Sequence, residues 1–382
     1  MGDKDSNSEK KQVIEQQIYH FDDLIIQEIL TRLPIKSILR FKSVSKQWYS
    51  TLSSSEFANA HLIKSPLAYP SAPVNTLFIK SGTNYYLFSY DDDQISGNFE
   101  DNLVKLDVDR GFEKFDLELT GSCNGLVCLT PSSGKYFFLW NPATRKMHKY
   151  EPDFYVKRID AETTIRHVIC GFWYASSVDD YKFVRLLKRS LGTDDTNCIG
   201  HIFSLRENKW TRFDFDCGHD FLVTQNAMLT NERLYWPAFI PPTNSIIILS
   251  FDLVVERFDV VKLERRDNLG VMGGCLSKCD SDSPSKDDKL MHIYESPGVI
   301  MKSIGFPKGL RLGMASQMIG FTRAGKFFVT RDFEPRMLGV VDTGTKPMQY
   351  TTLLKFNEMI EIARYVPSLV SPFPFEEELS TA

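Results

Sequence analysis

The sequence lacks the features that mark a membrane-spanning or secreted protein. None of its apolar runs approaches the roughly 20 residues that a membrane helix needs, and the aliphatic run at residues 246–249 has only the length of a strand. The first twelve residues are polar and charged, without the apolar core of a signal peptide. The seven cysteines are irregularly spaced and odd in number, which is typical of a reducing compartment rather than of a disulfide framework. We therefore expect a protein of the cytoplasm, the nucleus or both, with no membrane partner.

An excess of charge of either sign is also missing. The 382 residues include 45 basic and 49 acidic ones, for a net charge of −4. A nucleic-acid-binding protein usually shows a basic excess or a basic stripe, since most of its affinity comes from phosphate contacts. We therefore expect no nucleic-acid partner.

Residues that would carry catalysis or bind a metal form no recognisable pattern. Cys275 and Cys279 lie four apart with His292 beyond them, whereas zinc sites favour a two-residue gap between cysteines and a second matching pair. We interpret these cysteines as core residues on strands. The seven histidines are scattered, and none is paired in sequence with a plausible nucleophile. The sequence thus predicts no catalytic residues, no metal and no other cofactor.

A short helical block at residues 22–62 is the most informative part of the chain. Its apolar residues follow a helical period, and Pro34 ends the first helix because proline lacks the N–H and clashes with the preceding turn. The first apolar face comprises Leu24, Ile25, Ile29, Leu30 and Leu33. About 40 residues is close to the size below which a chain rarely folds unaided. The block must therefore pack against the rest of the chain or against another protein.

This block, residues 18–64, resembles the F-box. The resemblance rests on Asp23-Leu24, Glu28-Ile29-Leu30, Arg32-Leu33-Pro34, Lys36-Ser37 and residues 39–48. It departs at the start, where His20-Phe21 occupy the places of the usual Leu-Pro. The family implies a three-helix module that docks a substrate receptor onto the Skp-type adaptor of a cullin–RING ubiquitin ligase.

The resemblance also implies which side chains contact the adaptor. We expect the exposed edge at Leu33, Pro34 and Ile35, whereas Phe41 and Trp48 hold the helices together. The full predicted adaptor-binding set is Leu24, Ile29, Leu33, Pro34, Ile35, Leu39, Phe41, Val44 and Trp48. The alternative is that these helices only cap the domain that follows.

Beyond residue 64 the helical period is replaced by short aromatic or β-branched runs separated by turn residues. Pro66, Pro70 and Pro73 indicate a linker, which we place at residues 65–84. The 28 Phe and 15 Tyr residues suit half-buried strands. Strand-like runs include residues 85–88, 126–129, 136–140, 183–187, 246–251, 327–329 and 338–341.

A weak internal repeat organises these runs. An apolar residue is followed by a small polar one that turns the chain by binding its own backbone, and a second apolar residue lies six places further on. The clearest copies are Trp140-Asn141 with Met147, Phe203-Ser204 with Trp210, and Phe251-Asp252 with Phe258. The polar positions are 89, 141, 204, 252, 295 and 342. Periods of roughly 40 to 50 residues are typical of β-propeller blades, and a sandwich or two stacked sheets is the alternative.

The long C-terminal part resembles the F-box-associated domain of plants. The resembling segments include residues 121–128, 139–145, 180–184, 202–205, 249–252, 269–276 and 365–372. The family implies a propeller-like, substrate-recruiting domain. The predicted fold class is therefore α+β multidomain, with a small N-terminal three-helix F-box followed by a large all-β, β-propeller-like domain. We place a disordered polar tail at 1–17, the β domain at 85–372 and an acidic tail at 373–382.

Taken together, these features predict a non-catalytic substrate-recognition subunit of an SCF-type ubiquitin ligase, which links an unknown protein substrate to the Skp-type adaptor. One alternative is an F-box scaffold that works outside ubiquitination. The other is a propeller enzyme with an axial active site, which would require acid–base or metal-binding side chains to converge on folding.

Overall fold

The computed structural model describes most of the chain from residue 25 to residue 373. The described residues are 25–64, 75–93, 98–108, 112, 115–152, 165–189, 197–216, 218, 221–223, 227–240, 245–263, 267–272, 275–280, 290–296, 299–305, 317–331, 335–342, 344–345 and 349–373. The expected tail at 1–17, all of the expected acidic tail at 373–382 except Phe373, and the dipeptide His20-Phe21 lie outside them.

The N-terminal helices are short and lie close together in sequence. They are α1 (residues 25–30), α2 (Ile35–Phe41), α3 (Lys46–Ser53) and α4 (Ser55–Lys64). The expected three helices are thus four segments, because α3 and α4 are separated by Ser54, whose hydroxyl accepts a hydrogen bond from the Phe57 N–H at 3.1 Å. Among the described residues, no helix is both long and apolar enough to cross a membrane.

Beyond residue 64, the described chain contains a 3₁₀ turn at Phe99–Asn102, and its strands form six successive antiparallel meanders. Meander I contains β1 (Thr76–Ser81), β2 (Asn84–Ser89) and β3 (Leu103–Lys105), and meander II contains β4 (Leu117–Cys123), β5 (Leu126–Pro131), β6 (Phe137–Asn141) and β7 (Lys146–Tyr150). Meander III contains β8 (Ile165–Ala175), β9 (Asp180–Arg189), β10 (Asn197–Ser204) and β11 (Lys209–Asp216).

The later meanders repeat the pattern. Meander IV contains β12 (Leu222–Val223), β13 (Met228–Thr230), β14 (Arg233–Ile240), β15 (Ser245–Asp252) and β16 (Arg257–Leu263). Meander V contains β17 (Asp267–Met272), β18 (Cys275–Asp280), β19 (Leu290–Ser296) and β20 (Val299–Gly305). Meander VI contains β21 (Met318–Phe321), β22 (Phe327–Arg331), β23 (Arg336–Asp342) and β24 (Gln349–Phe356).

The last strand of the described chain completes the first meander. β25 (Ile360–Arg364) pairs antiparallel with β1, so meander I is completed by the C-terminal end of the domain. The Lys80 ammonium and the Glu361 carboxylate, 2.7 Å apart, reinforce this pairing from neighbouring strands. The predicted linker at 65–84 is therefore wrong in its second half, since β1 belongs to the β domain.

The meanders form five hydrogen-bonded sheets arranged as a β-propeller, which confirms the predicted fold class. Meanders V and VI share one sheet through a parallel pairing of β17 with β21 at Gly270 and Met318. Among the described residues, apolar clusters join meanders I and II, II and III, III and IV, and VI and I, as blades packed around an axis require. One example joins meanders II and III, where the rings of Phe137 and Phe183 stack with centroids 4.1 Å apart.

The internal repeat marks the turn before the last strand of meanders II, III and IV. Asn141, Ser204 and Asp252 end β6, β10 and β15, and each accepts backbone N–H groups two or three residues ahead, at 2.9 to 3.2 Å. The predicted apolar pairs lie directly opposite each other, namely Trp140 with Met147, Phe203 with Trp210, and Phe251 with Phe258. The repeat is thus a real structural period, at its clearest in meanders II, III and IV.

Candidate functional site

The helical domain has a small core of its own. The side chains of Ile38 and Leu52 are completely buried, and they pack in one cluster with Leu30, Phe57 and Ala58. Helical spacing brings these residues to the inner faces of their helices, which leaves the outer faces free for other contacts.

Polar contacts hold the ends of the helical domain together. The His61 ring nitrogen Nε2 lies 2.8 Å from the Leu33 carbonyl, so α4 contacts the turn before α2. Glu28 accepts hydrogen bonds from Lys64 and from Arg32. These bonds, with that from Lys64 the largest, hold the pKa of the Glu28 carboxyl below its usual value.

Phe41 and Trp48 join α2 to α3, as predicted for their positions. Their rings meet edge to face with centroids 5.6 Å apart, and both side chains are half-buried. Ser45 caps α3 by accepting the Trp48 N–H at 3.1 Å, which is the usual role of serine before a helix. This corner of the domain is therefore held in place before any partner binds.

One side of the helical domain is sealed against the β domain. Leu369, from the segment after β25, lies in the core cluster of the helices, and Ala143 packs against the same cluster. Leu62 of α4 lies in the cluster shared by meanders II and III. These contacts help to cover the inner faces of the helices.

Several other apolar side chains of the helical domain are open to solvent. Ile29 is 55% exposed and Val44 is 60% exposed, and Pro34 is also exposed. Sequence reasoning gave no docking role to further exposed residues of the same domain, namely Ile25, Ile26, Tyr49 and Ile63. We call Ile25, Ile26, Ile29, Pro34, Val44 and Tyr49 the exposed apolar surface. A contiguous exposed apolar surface usually marks a binding site.

The predicted edge at residues 33–35 needs correction. Ile35 is only 8% exposed and belongs to the core cluster, because it begins α2 on the face that turns inward. Leu33 and Leu39 are half-buried and pack against that cluster, so only Pro34 of the edge is open. Leu24 lies outside the described residues.

The described residues of the β domain show little that could act as a chemical centre. Within the described part of the chain, no group of three or more His, Cys, Asp or Glu side chains lies close enough to hold a metal ion. Burial raises the pKa of the Cys170 thiol to about 12 and lowers that of the His201 ring to about 3. At neutral pH these groups are uncharged, which suits core packing better than acid–base chemistry.

Known proteins share both parts of this architecture. The F-box domain model matches residues 18–59, and the model of the F-box associated beta propeller domain matches residues 76–277. F-box protein CPR1 of Arabidopsis thaliana is 26% identical over 300 residues, which are 71% of this chain and 69% of the relative. The Arabidopsis thaliana F-box/kelch-repeat protein At3g23880 is 28% identical over 247 residues, which are 61% and 63% of the two chains.

A more distant likeness is found among solved structures. A chain of the nidogen/laminin complex aligns with 76% of this chain and 98% of its own length, at 11% identity and a TM-score of 0.46. This likeness is too remote to add to the fold described above.

The chain consists of a small helical domain joined to a β-propeller, and the helical domain carries the exposed apolar surface. The chain belongs to the F-box proteins that carry an F-box associated β-propeller domain.

Proposed function

We propose that this protein is a substrate-recognition subunit of an SCF-type cullin–RING ubiquitin ligase. Its helical domain binds the Skp-type adaptor, and its β domain holds a protein substrate. The chain itself makes and breaks no bond. It acts by effective concentration, since a substrate held beside the ubiquitin-carrying enzyme meets it as an intramolecular partner.

The observation that carries this proposal is the exposed apolar surface. The inner faces of the helices are already covered by their own core and by Leu369, yet Ile29 and Val44 remain more than half exposed. At roughly 25 cal/mol for each Å² of apolar surface removed from water, covering such side chains with a partner is favourable. A helical adaptor surface fits this role, as it does in the family to which the chain belongs.

The experiment compares two valines of similar exposure. Val44 is 60% exposed on the helical domain, and Val255 is 64% exposed on the turn after β15. We expect Val44→Glu to weaken binding of a purified plant Skp-type adaptor at least tenfold, because the partner would bury an unpaired carboxylate. Val255→Glu introduces the same charge far from the helices in sequence. This variant should bind the adaptor with the affinity of the wild type.

Circular dichroism melts of both variants provide the folding control, since neither exposed site supports the core. Equal adaptor affinity for Val44→Glu, Ile29→Glu and the wild type would contradict the proposed docking surface. Copurification of the cullin subunit with the complex separates a ligase subunit from an F-box scaffold, which would bind the adaptor without cullin.

A further inference from the structure

The chain does not end at the strand that closes the propeller. After β25, residues 365–373 run without regular secondary structure and lie between the helical domain and meander II. We call them the C-terminal strap. Ser368, Leu369 and Val370 are all buried, so the strap is an internal part of the molecule.

The strap is bound to meander II by polar contacts. Ser368 donates its hydroxyl hydrogen to the Asn124 carbonyl in the β4–β5 turn. The Tyr150 hydroxyl donates to the Pro372 carbonyl at 2.8 Å. The carboxamide of Asn141 donates to the carbonyls of Ser368 at 3.1 Å and Val370 at 2.7 Å.

The strap also packs with residues of the helices. Leu369 packs with Ile38, Leu52 and other core residues of the helical domain. Val370 lies in the cluster that contains Leu62 of α4. One short segment therefore contacts both domains, and Leu369 buries its side chain in the core cluster of the helices.

Asn141 differs from the residues at the equivalent turns. Its Oδ1 accepts the N–H groups of Ala143 and Thr144, as Asp252 and Asp342 do for the residues that follow them. A carboxylate fulfils this turn role, but it has no hydrogen to donate. Only the amide of Asn141, which is completely buried, can hold the turn and bind the strap carbonyls together.

We propose that Asn141 is a positioning residue: through the strap, it sets the orientation of the helical domain relative to the propeller. Its consequence for ubiquitination rests on the proposed function, since the angle between adaptor and substrate follows from this orientation. The orientation itself does not depend on that function and is measured on the protein alone.

The test is Asn141→Asp, which keeps the acceptor for the turn and removes both donors to the strap. Asp342→Asn is the matched control, since it makes the reverse change at an equivalent turn of meander VI. Nitroxide labels on unnatural amino acids at the exposed positions Ser50 and Lys209 report the distance between the domains by pulsed electron paramagnetic resonance. We expect one narrow distance distribution for the wild type and Asp342→Asn, and a distribution at least twice as wide for Asn141→Asp.

Hydrogen exchange measured by mass spectrometry gives a second reading. In Asn141→Asp, the strap and helices α2 to α4 should exchange about tenfold faster or more, because two buried carbonyls lose their donors. The strands of meanders III and IV should exchange as in the wild type. An unchanged distance distribution, or an equal broadening in Asp342→Asn, would overturn the proposal.

A chain that ends after Pro367 provides a second test in case the Asn141→Asp variant misfolds. It lacks most of the strap but retains β25, so the propeller should keep its slow exchange while the helices lose theirs. Loss of protection throughout the strands would overturn the positioning role and make the strap a general stabiliser. Failure of the wild-type protein to bind the adaptor would refute the proposed function and leave these comparisons intact.

Discussion

The turn between β4 and β5 shows how single residues shape this molecule. Asn124 and Gly125 both have positive φ, at 50° and 80°, as expected of an Asn-Gly hairpin turn. A Cβ atom on Gly125 would lie 2.2 Å from the Ser368 hydroxyl oxygen. The absence of a side chain at this position thus allows the strap to approach the turn.

Gly125→Ala should therefore destabilise the protein by about 2–4 kcal/mol, through backbone strain and overlap with Ser368. Gly325→Ala is the control, because Gly325 has a similar φ of 78° and open space around its Cβ direction. It should cost only the strain, about 1–2 kcal/mol. Chemical denaturation measures the free energy of unfolding of both variants. Equal losses in the two variants would show that the overlap with Ser368 contributes nothing.

The cysteines are a second feature at the residue scale. Cys123 and Cys128 flank this turn and are buried, and burial raises the pKa of both thiols well above its usual value. Because the thiolate is the reactive form, we expect iodoacetamide at pH 8 to leave both unlabelled in the native protein and to label them after unfolding in urea. Peptide mass spectrometry reads the result, and rapid native labelling would contradict the burial.

At the scale of elements, local sequence predicted the third-to-fourth strand turns correctly because their signal is local. A polar side chain that bonds the backbone two or three residues ahead, and an apolar pair across the hairpin, lie within eight residues of each other. In meander II the predicted pair of Trp140 with Met147 is present in register. In meander VI, Val341 pairs with Tyr350 rather than with Met348, because the turn there is longer.

The strand β1 could not be predicted in the same way. The sequence places it in a linker because Pro66, Pro70 and Pro73 precede it, and its partner β25 lies about 280 residues further along the chain. Pairings so distant leave no periodic signal near either strand. The prediction of an exposed Ile35 is wrong for a related reason. Local spacing shows that a helix has an apolar face, but tertiary packing decides whether a residue at the start of the helix turns inward.

An ion cluster in meander IV makes the stability of the protein depend on pH. Arg233 donates to Asp259 at 2.7 Å and to Asp252 at 2.9 Å. The hydrogen bond from Arg233 is the largest cause that holds the pKa of the Asp259 carboxyl below its usual value. Because this folded pKa is lowered, the cluster stabilises the protein above the unfolded pKa, near 3.9, and the stabilisation is lost as the pH falls through the folded pKa.

Arg233→Met should thus cost about 1 kcal/mol at pH 7, and less at pH 3. Arg257→Met removes a more exposed arginine from the same carboxylate, 3.3 Å away, and should cost less than about 0.5 kcal/mol. Thermal unfolding midpoints at the two pH values check both. A cost for Arg233→Met that is the same at pH 3 and pH 7 would show that the charges of the cluster do not contribute.

At the scale of the whole molecule, the C-terminal residues complete the β domain. β25 supplies the strand beside β1, and Glu361 on β25 binds Lys80 and the Leu119 N–H of meander II. A chain that ends after Met359 would leave β1 as an unpaired edge, which favours aggregation. We expect this chain to be largely insoluble, whereas the chain that ends after Pro367 is soluble. Size-exclusion chromatography distinguishes the two truncated chains. A monodisperse, folded product of the shorter chain would contradict the role of β25 in completing the β domain.

We expect the adaptor to bind at the exposed apolar surface of the helical domain. Hydrogen exchange of the 382-residue protein, with and without a purified plant Skp-type adaptor, tests this claim. We predict that the adaptor slows exchange in peptides from residues 25–49 and leaves the six meanders unchanged. Binding that protects only strands of the β domain, or no detectable protection of residues 25–49 at a saturating adaptor concentration, would contradict the claim.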